Sequence, residues 1–393
     1  MLATANEAVY VLNLISSLLI SEVAIKQHES CSSETSAVPS SFKEFADMNL
    51  GPVAGNAMSF ISLFINICVL AFALMRSHEV FGIFAGDLDP VAVAGVFASV
   101  LCVLSAGLKN SVLSSVSSVA AAIMFTTFAG VVLPSLPFAI THAEQAMVPG
   151  TAAETGETLQ AAIGILPIIL MVSTYQNITP TVTKLLNFDR LKVVAATIIG
   201  SGIPLLMYCF WMFVNMTGGV DSVNSLSSSS FSLSTFMMSS LVGSSIACTI
   251  SIAEEFESLL QTEENPIQEC SLDENGKAIP VDSKLDDKCL SLPSVMLSVS
   301  LPLVAGAVFA QDGAFTAALD MAGEYGATLL YGIVPVALAW TQRRRDEEGG
   351  SSASDLLPGG YVPMYALGSS AILYLGQSFI TDMCDIFGKV VSS

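Results

Sequence analysis

Tyr175-Gln176-Asn177-Ile178-Thr179-Pro180 lies inside an apolar stretch running from about residue 159 to 186. That stretch is long enough to cross a bilayer, at roughly 20 residues per crossing. Yet it carries an Asn, a Gln, several hydroxyls and two prolines, Pro167 and Pro180. A proline removes a backbone donor, and a spanning helix must satisfy its backbone internally. A polar, proline-broken span is therefore tolerated only where protein or water surrounds it. Broken helices of this kind build ligand sites in transporters, because freed backbone groups can hold a substrate. A simple proline kink between packed helices carries the same signature, and both readings stand at this point.

Working outward, the composition sets the class. Hydrophobic residues make up 52% of the chain and charged residues 12%, about half the charged share of a soluble domain. About ten apolar segments are long enough to span: near 6–25, 53–75, 90–107, 111–135, 159–186, 190–216, 232–257, 291–311, 315–341 and 361–380. The expectation is an all-α polytopic membrane protein whose single transmembrane domain fills residues 1–393. Two connections, 261–290 and 343–358, read as flexible loops on the cytoplasmic side, rich in charged residues, Gly and Ser.

The net charge is −20, but the placement of the few cations is more telling. If the loop at 184–192 is cytoplasmic, alternation puts all of the 14 Lys and Arg on that side except Arg76 and Lys389. Such a bias is the positive-inside pattern, and one missed span would scramble it. The eight cysteines form no Cys-x-x-Cys pair or Cys/His cluster, so no metal or other cofactor is expected. His28, His78 and His142 fall outside the apolar segments, in what read as loops, which argues against a histidine proton relay. No nucleotide-binding loop or intramembrane catalytic set appears. The Gly86-Asp87 pair, of the kind some membrane aspartyl proteases carry, lacks a partner motif. An enzyme and a nucleic-acid partner are not expected.

Further stretches join the first. Asp189-Arg190-Leu191-Lys192 follows it, then Ile199-Gly200-Ser201-Gly202-Ile203-Pro204 and Trp211. Ser240-Leu241-Val242-Gly243-Ser244-Ser245, Tyr325-Gly326, Tyr331-Gly332-Ile333-Val334-Pro335 and Leu357-Pro358-Gly359-Gly360 follow in order, with Leu18-Leu19-Ile20-Ser21-Glu22-Val23 near the start. In order and spacing these resemble the tryptophan/tyrosine permeases, aromatic amino acid permeases of the amino acid–polyamine–organocation superfamily. Tyr175-Gln176 stands where many bacterial members have Phe-His, and is similar to plant and algal members. The resemblance implies a LeuT-like inverted-repeat transporter fold. It also implies that Met1 falls just before the family's second helix, so the ten segments would be helices two to eleven. A start further upstream in the gene would supply the glycine-rich first helix.

An amino acid brings a carboxylate, an ammonium and a side chain, which free amides, carbonyls and hydroxyls can hold. Ser173, Thr174, Tyr175, Gln176, Asn177 and Thr179 offer such groups at the break. Ser240, Gly243, Ser244 and Ser245 offer hydroxyls and close approach on another span, although small residues also serve helix packing. Tyr325 is a candidate for closing the pocket. Glu22, Asp320 and Glu324 lie near segment ends and are expected to be partly buried. The expected function is amino acid transport, with aromatic substrates and a coupling cation, a proton by resemblance, through alternating access. The alternative is a transport-incompetent remnant of the permease fold that senses or binds a partner. The site is expected in a plastid envelope or plasma membrane, with lipid as the surrounding partner.

Overall fold

The computed structural model describes residues 2–31, 42–85, 88–108, 110–146, 175–217, 227–260, 291–309, 314–349 and 355–392. All regular structure among these residues is helical. In chain order the helices are α1 (Leu2–Cys31), α2 (Phe42–Leu50), α3 (Pro52–Ala85), α4 (Pro90–Gly107) and α5 (Asn110–Ala146). A 3-10 turn (Gln176–Ile178) then leads into α6 (Thr179–Leu185), α7 (Arg190–Met216), α8 (Ser227–Leu260) and α9 (Leu292–Phe309). Next come α10 (Ala314–Met321), a π-helical segment (Ala322–Ile333), α11 (Val334–Gly349) and α12 (Val362–Ser392).

Among the described residues, seven helical stretches are long and apolar enough to cross a membrane: Glu7–Glu29, Pro52–Phe81, Pro90–Gly107, Ser115–His142, Arg190–Val214, Phe231–Glu257 and Ala317–Glu348. Leu292–Val308 is apolar but shorter. The remaining expected spans differ for visible reasons. Residues 159–174 lie outside the described part, and α12 is diluted by Gly368, Ser369, Ser370, Gly376 and Gln377.

Local signals explain several boundaries. Asp89 caps α4, its Oδ2 accepting from the Val91 and Ala92 amides at 3.1 and 3.2 Å, and Pro90 takes the first turn, where no donor is lost. Asp189 repeats the device for α7, accepting from Leu191 and Lys192. Between α6 and α7, Asn187 and Phe188 turn through positive φ, at 53° and 55°. That conformation is uncommon for Phe; its ring is held by stacking on His28 at 4.0 Å.

Two expectations are corrected. The segment 343–358 was expected to be a flexible loop, but α11 runs on through Gly349. Arg343 is buried there, Arg344 pairs with Glu348 one turn on, and Gln342 reaches Asp346. The other loop, 261–290, lies outside the described residues. The three histidines are helical, because α1, α3 and α5 continue past their apolar cores.

The chain divides into two compact units. The first comprises Met1–Ile65, Thr155–Leu205 and Leu319–Ser393; the second comprises Asn66–Glu154 and Leu206–Ala318. In the first unit α1 packs on the 3-10 turn, α6, the π segment, α11 and α12. Leu19, Ile20 and Ile25 of α1 are fully buried. In the second unit α5 lies antiparallel to α8: Gly130 faces Ser232, Phe128 packs on Phe236 and Ala120 faces Gly243.

Candidate functional site

The broken segment has an unusual backbone. Tyr175 sits at φ −135°, ψ 3°, the 3-10 turn follows, and Pro180 occupies the first turn of α6. The Gln176 side chain folds back to stabilise the break: its Oε1 accepts from the Tyr175 amide at 2.9 Å. Its Nε2 donates to Asn13 Oδ1 of α1, also at 2.9 Å, with both side chains buried.

That contact opens a ladder. Ser17 and Thr179 share a hydrogen bond at 2.9 Å, and Thr183 Oγ1 donates to Ser21 Oγ at 3.3 Å. The partners rise together along both segments, so α1 and α6 run parallel. Asn13, Ser17 and Ser21 are four residues apart and share a helix face. Each buried hydrogen bond contributes about 0.5–1.5 kcal/mol net, and an orphaned partner costs more.

Three hydroxyls among the described residues of this unit stay unsatisfied, one of them Thr328 Oγ1 of the π segment. Ser16 Oγ and Tyr175 Oη are buried without a hydrogen-bond partner. The Tyr175 hydroxyl lies beside Ser17 and Ser201, and Tyr10 is close enough to contact Ser201 at 3.5 Å. A phenol, serine hydroxyls and an irregular backbone therefore gather at the break.

A second polar constellation sits further along α1. The Glu22 carboxylate takes both arms of Arg343, at 2.7 and 2.8 Å. It also accepts from the Leu356 and Leu357 amides at 3.0 and 3.4 Å. Lys26 stands 3.5 Å from Glu22, 3.0 Å from Asp346 and 2.9 Å from Asp355. Arg343 reaches Asp355 at 3.3 Å and the Gly360 carbonyl. Glu22, Lys26 and Arg343 are each only 2–3% exposed. Glu22 was expected to be partly buried; instead the pairing with Arg343 permits full burial. Asp320 and Glu324 are half-buried, as expected.

Of the other anticipated residues, Ser173 and Thr174 lie outside the described part, as does the Asn177 side chain, although its backbone belongs to the 3-10 turn. Tyr325, in the π segment of the first unit, donates to Asp382 of α12 at 2.6 Å. Ser240, Gly243, Ser244 and Ser245 belong to the second unit. Gly243 lets α8 approach Ala120 of α5, where an added Cβ would sit 3.8 Å away. Ser244 is exposed and bonds back to the Ser240 and Leu241 carbonyls. Ser245 is fully buried with an unsatisfied hydroxyl. For Gly243 and Ser244 the contacts are those of helix packing and back-bonding.

Asn13, Ser17, Ser21 and the Glu22–Arg343 pair were missed in the sequence. The signal was present in part: Asn13, Ser17 and Ser21 recur every fourth residue in an apolar span, and Glu22 and Lys26 do the same.

Seven long apolar helices among the described residues, with a buried polar ladder between α1 and α6, suit an integral multi-pass membrane protein. The tryptophan/tyrosine permease family model matches residues 7–373, and the chain belongs to that family. No match was found among the curated proteins. Membership supports amino acid transport in general.

Proposed function

We propose that the protein carries aromatic amino acids, tryptophan or tyrosine, across its membrane in symport with a proton, by alternating access. The observation that supports the reading most is the Tyr175 hydroxyl, buried with the Ser17 and Ser201 hydroxyls beside it but without a well-formed hydrogen bond. An unsatisfied buried hydroxyl costs about 1–3 kcal/mol, and a ligand that accepts or donates there recovers it. The substrate is held around the Gln176–Ile178 turn, with Ser173, Thr174, Tyr175, Asn177 and Thr179 as its candidate contacts. Gln176 shapes the turn through its bonds to the Tyr175 amide and to Asn13, and stays among the candidate contacts.

Uptake of a panel of labelled amino acids by the full chain in liposomes tests this. Tryptophan and tyrosine should be taken up in preference to aliphatic and charged amino acids. Tyr175→Phe should lower uptake about tenfold, the scale of one lost hydrogen bond. Asn177→Leu should abolish it without preventing folding, because Leu is welcome in a bilayer. Equal uptake of all classes, or wild-type uptake by both variants, would remove the reading.

A further inference from the structure

We propose that the buried Glu22–Arg343 pair, braced by Lys26, relays the state of the broken segment to the 355–360 turn, making Glu22 a positioning residue for transport. The inference rests on the transporter reading above. It starts from the geometry of α1, which is in contact with both polar constellations. One of its faces, Asn13, Ser17 and Ser21, holds Gln176, Thr179 and Thr183. The neighbouring face, Glu22 and Lys26, holds α11 and the turn that leads into α12. Ser21, which bonds Thr183, is next to Glu22 in the chain, so α1 is tied to α6 and to the ion pair at neighbouring residues.

The chemistry argues against a purely stabilising role. A buried ion pair is a poor stabiliser, because desolvation offsets most of its Coulomb gain, and an apolar pair of similar volume often serves as well. Ionisable groups inside membrane segments are costly and tend to be functional. Here one carboxylate accepts from a bidentate Arg and from two amides of the turn. Losing any of these donors leaves charge exposed to a low dielectric, so the arrangement favours two discrete states, pair made or pair broken, over gradual change. Leu356, in the turn that Glu22 binds, is partly exposed, so a cysteine placed there reports on the turn.

The test uses the full chain with its native cysteines replaced by serine and Leu356→Cys added. That substitution keeps the amide that Glu22 binds. The rate of maleimide modification is read with and without tryptophan, beside tryptophan binding and net uptake. In the parent, modification should be slow and should change about tenfold when tryptophan binds, a coupling of ordinary size. Glu22→Gln should make it fast and insensitive to tryptophan, lower net uptake about tenfold and leave binding within about threefold. The double variant Glu22→Gln with Arg343→Gln leaves neither charge of this pair stranded, and should reproduce that pattern if the single variant does not fold. Glu22→Asp should restore part of the response. Slow, tryptophan-responsive modification in these Gln variants, or net uptake like the parent's, would overturn the proposal. If the parent binds neither tryptophan nor tyrosine, the substrate reading falls, and modification of the parent against Glu22→Gln still decides the relay.

Discussion

At the scale of single residues, the break depends on a side chain that bonds its own backbone. Gln176→Leu keeps the bulk but removes the bonds to Asn13 and to the Tyr175 amide. The expected cost is about 1–3 kcal/mol, read as a lower unfolding midpoint in detergent, with uptake reduced as the break loses its shape. Asp189 carries a pH dependence. Its carboxyl is held below the ordinary value of 3.8, first by the Lys192 amide and then by the Lys192 side chain. A lowered pKa means that the stabilisation is fully present above 3.8 and is lost as pH falls through the lowered value. Asp189→Asn keeps a capping side chain but removes the charge. The variant should therefore show a flatter fall in unfolding midpoint below pH 4 than the parent. The irregular turn at Gln176–Ile178 falls where the sequence is conspicuous, with Asn, Gln and Pro inside an apolar run. The Glu22–Arg343 pair was not, because its partners lie 321 residues apart and Arg343 sits in a charge run that reads as a solvated end.

At the scale of elements, the apolar runs located the helices and the capping residues fixed several of their starts. The π segment Ala322–Ile333 had no sequence signature of its own; it follows from packing. An added Cβ at Gly332 would lie 2.7 Å from Ala371 Cβ of α12, so the segment and α12 touch through the missing side chain. Gly332→Ala should cost about 1–3 kcal/mol, the range for overpacking. Gly326→Ala should cost less, because its nearest neighbour at 3.0 Å is the Ile65 side chain, which can change rotamer. Comparing the two unfolding midpoints in detergent checks the ranking, and an equal loss would mean that the π segment is not held by α12. The polar ladder was only half legible for a similar reason. Spacing marked one face of α1, but only the fold shows that Thr179 and Thr183 meet it.

At the scale of the whole molecule, the charge pattern of the loops carried the topology. Within the first unit, Arg190 pairs with Glu29, Lys26 with Asp346 and Arg343 with Glu22. Residues assigned to one membrane face by charge alone are thus gathered at one end of that unit. Impermeant labelling of sealed vesicles should accordingly reach the 184–192 and 350–358 connections from the same side, and labelling from opposite sides would overturn the assignment. The family accounts for amino acid transport in general; the substrate and the driving ion are the central claim. The most direct measurement is uptake of labelled tryptophan and tyrosine into liposomes holding the full chain, with and without an imposed proton gradient. The account predicts accumulation above equilibrium when the outside is acidic, collapse of that accumulation with a protonophore, and none in Asn177→Leu. Folded protein that moves neither amino acid, or moves them indifferently to the gradient, would contradict it.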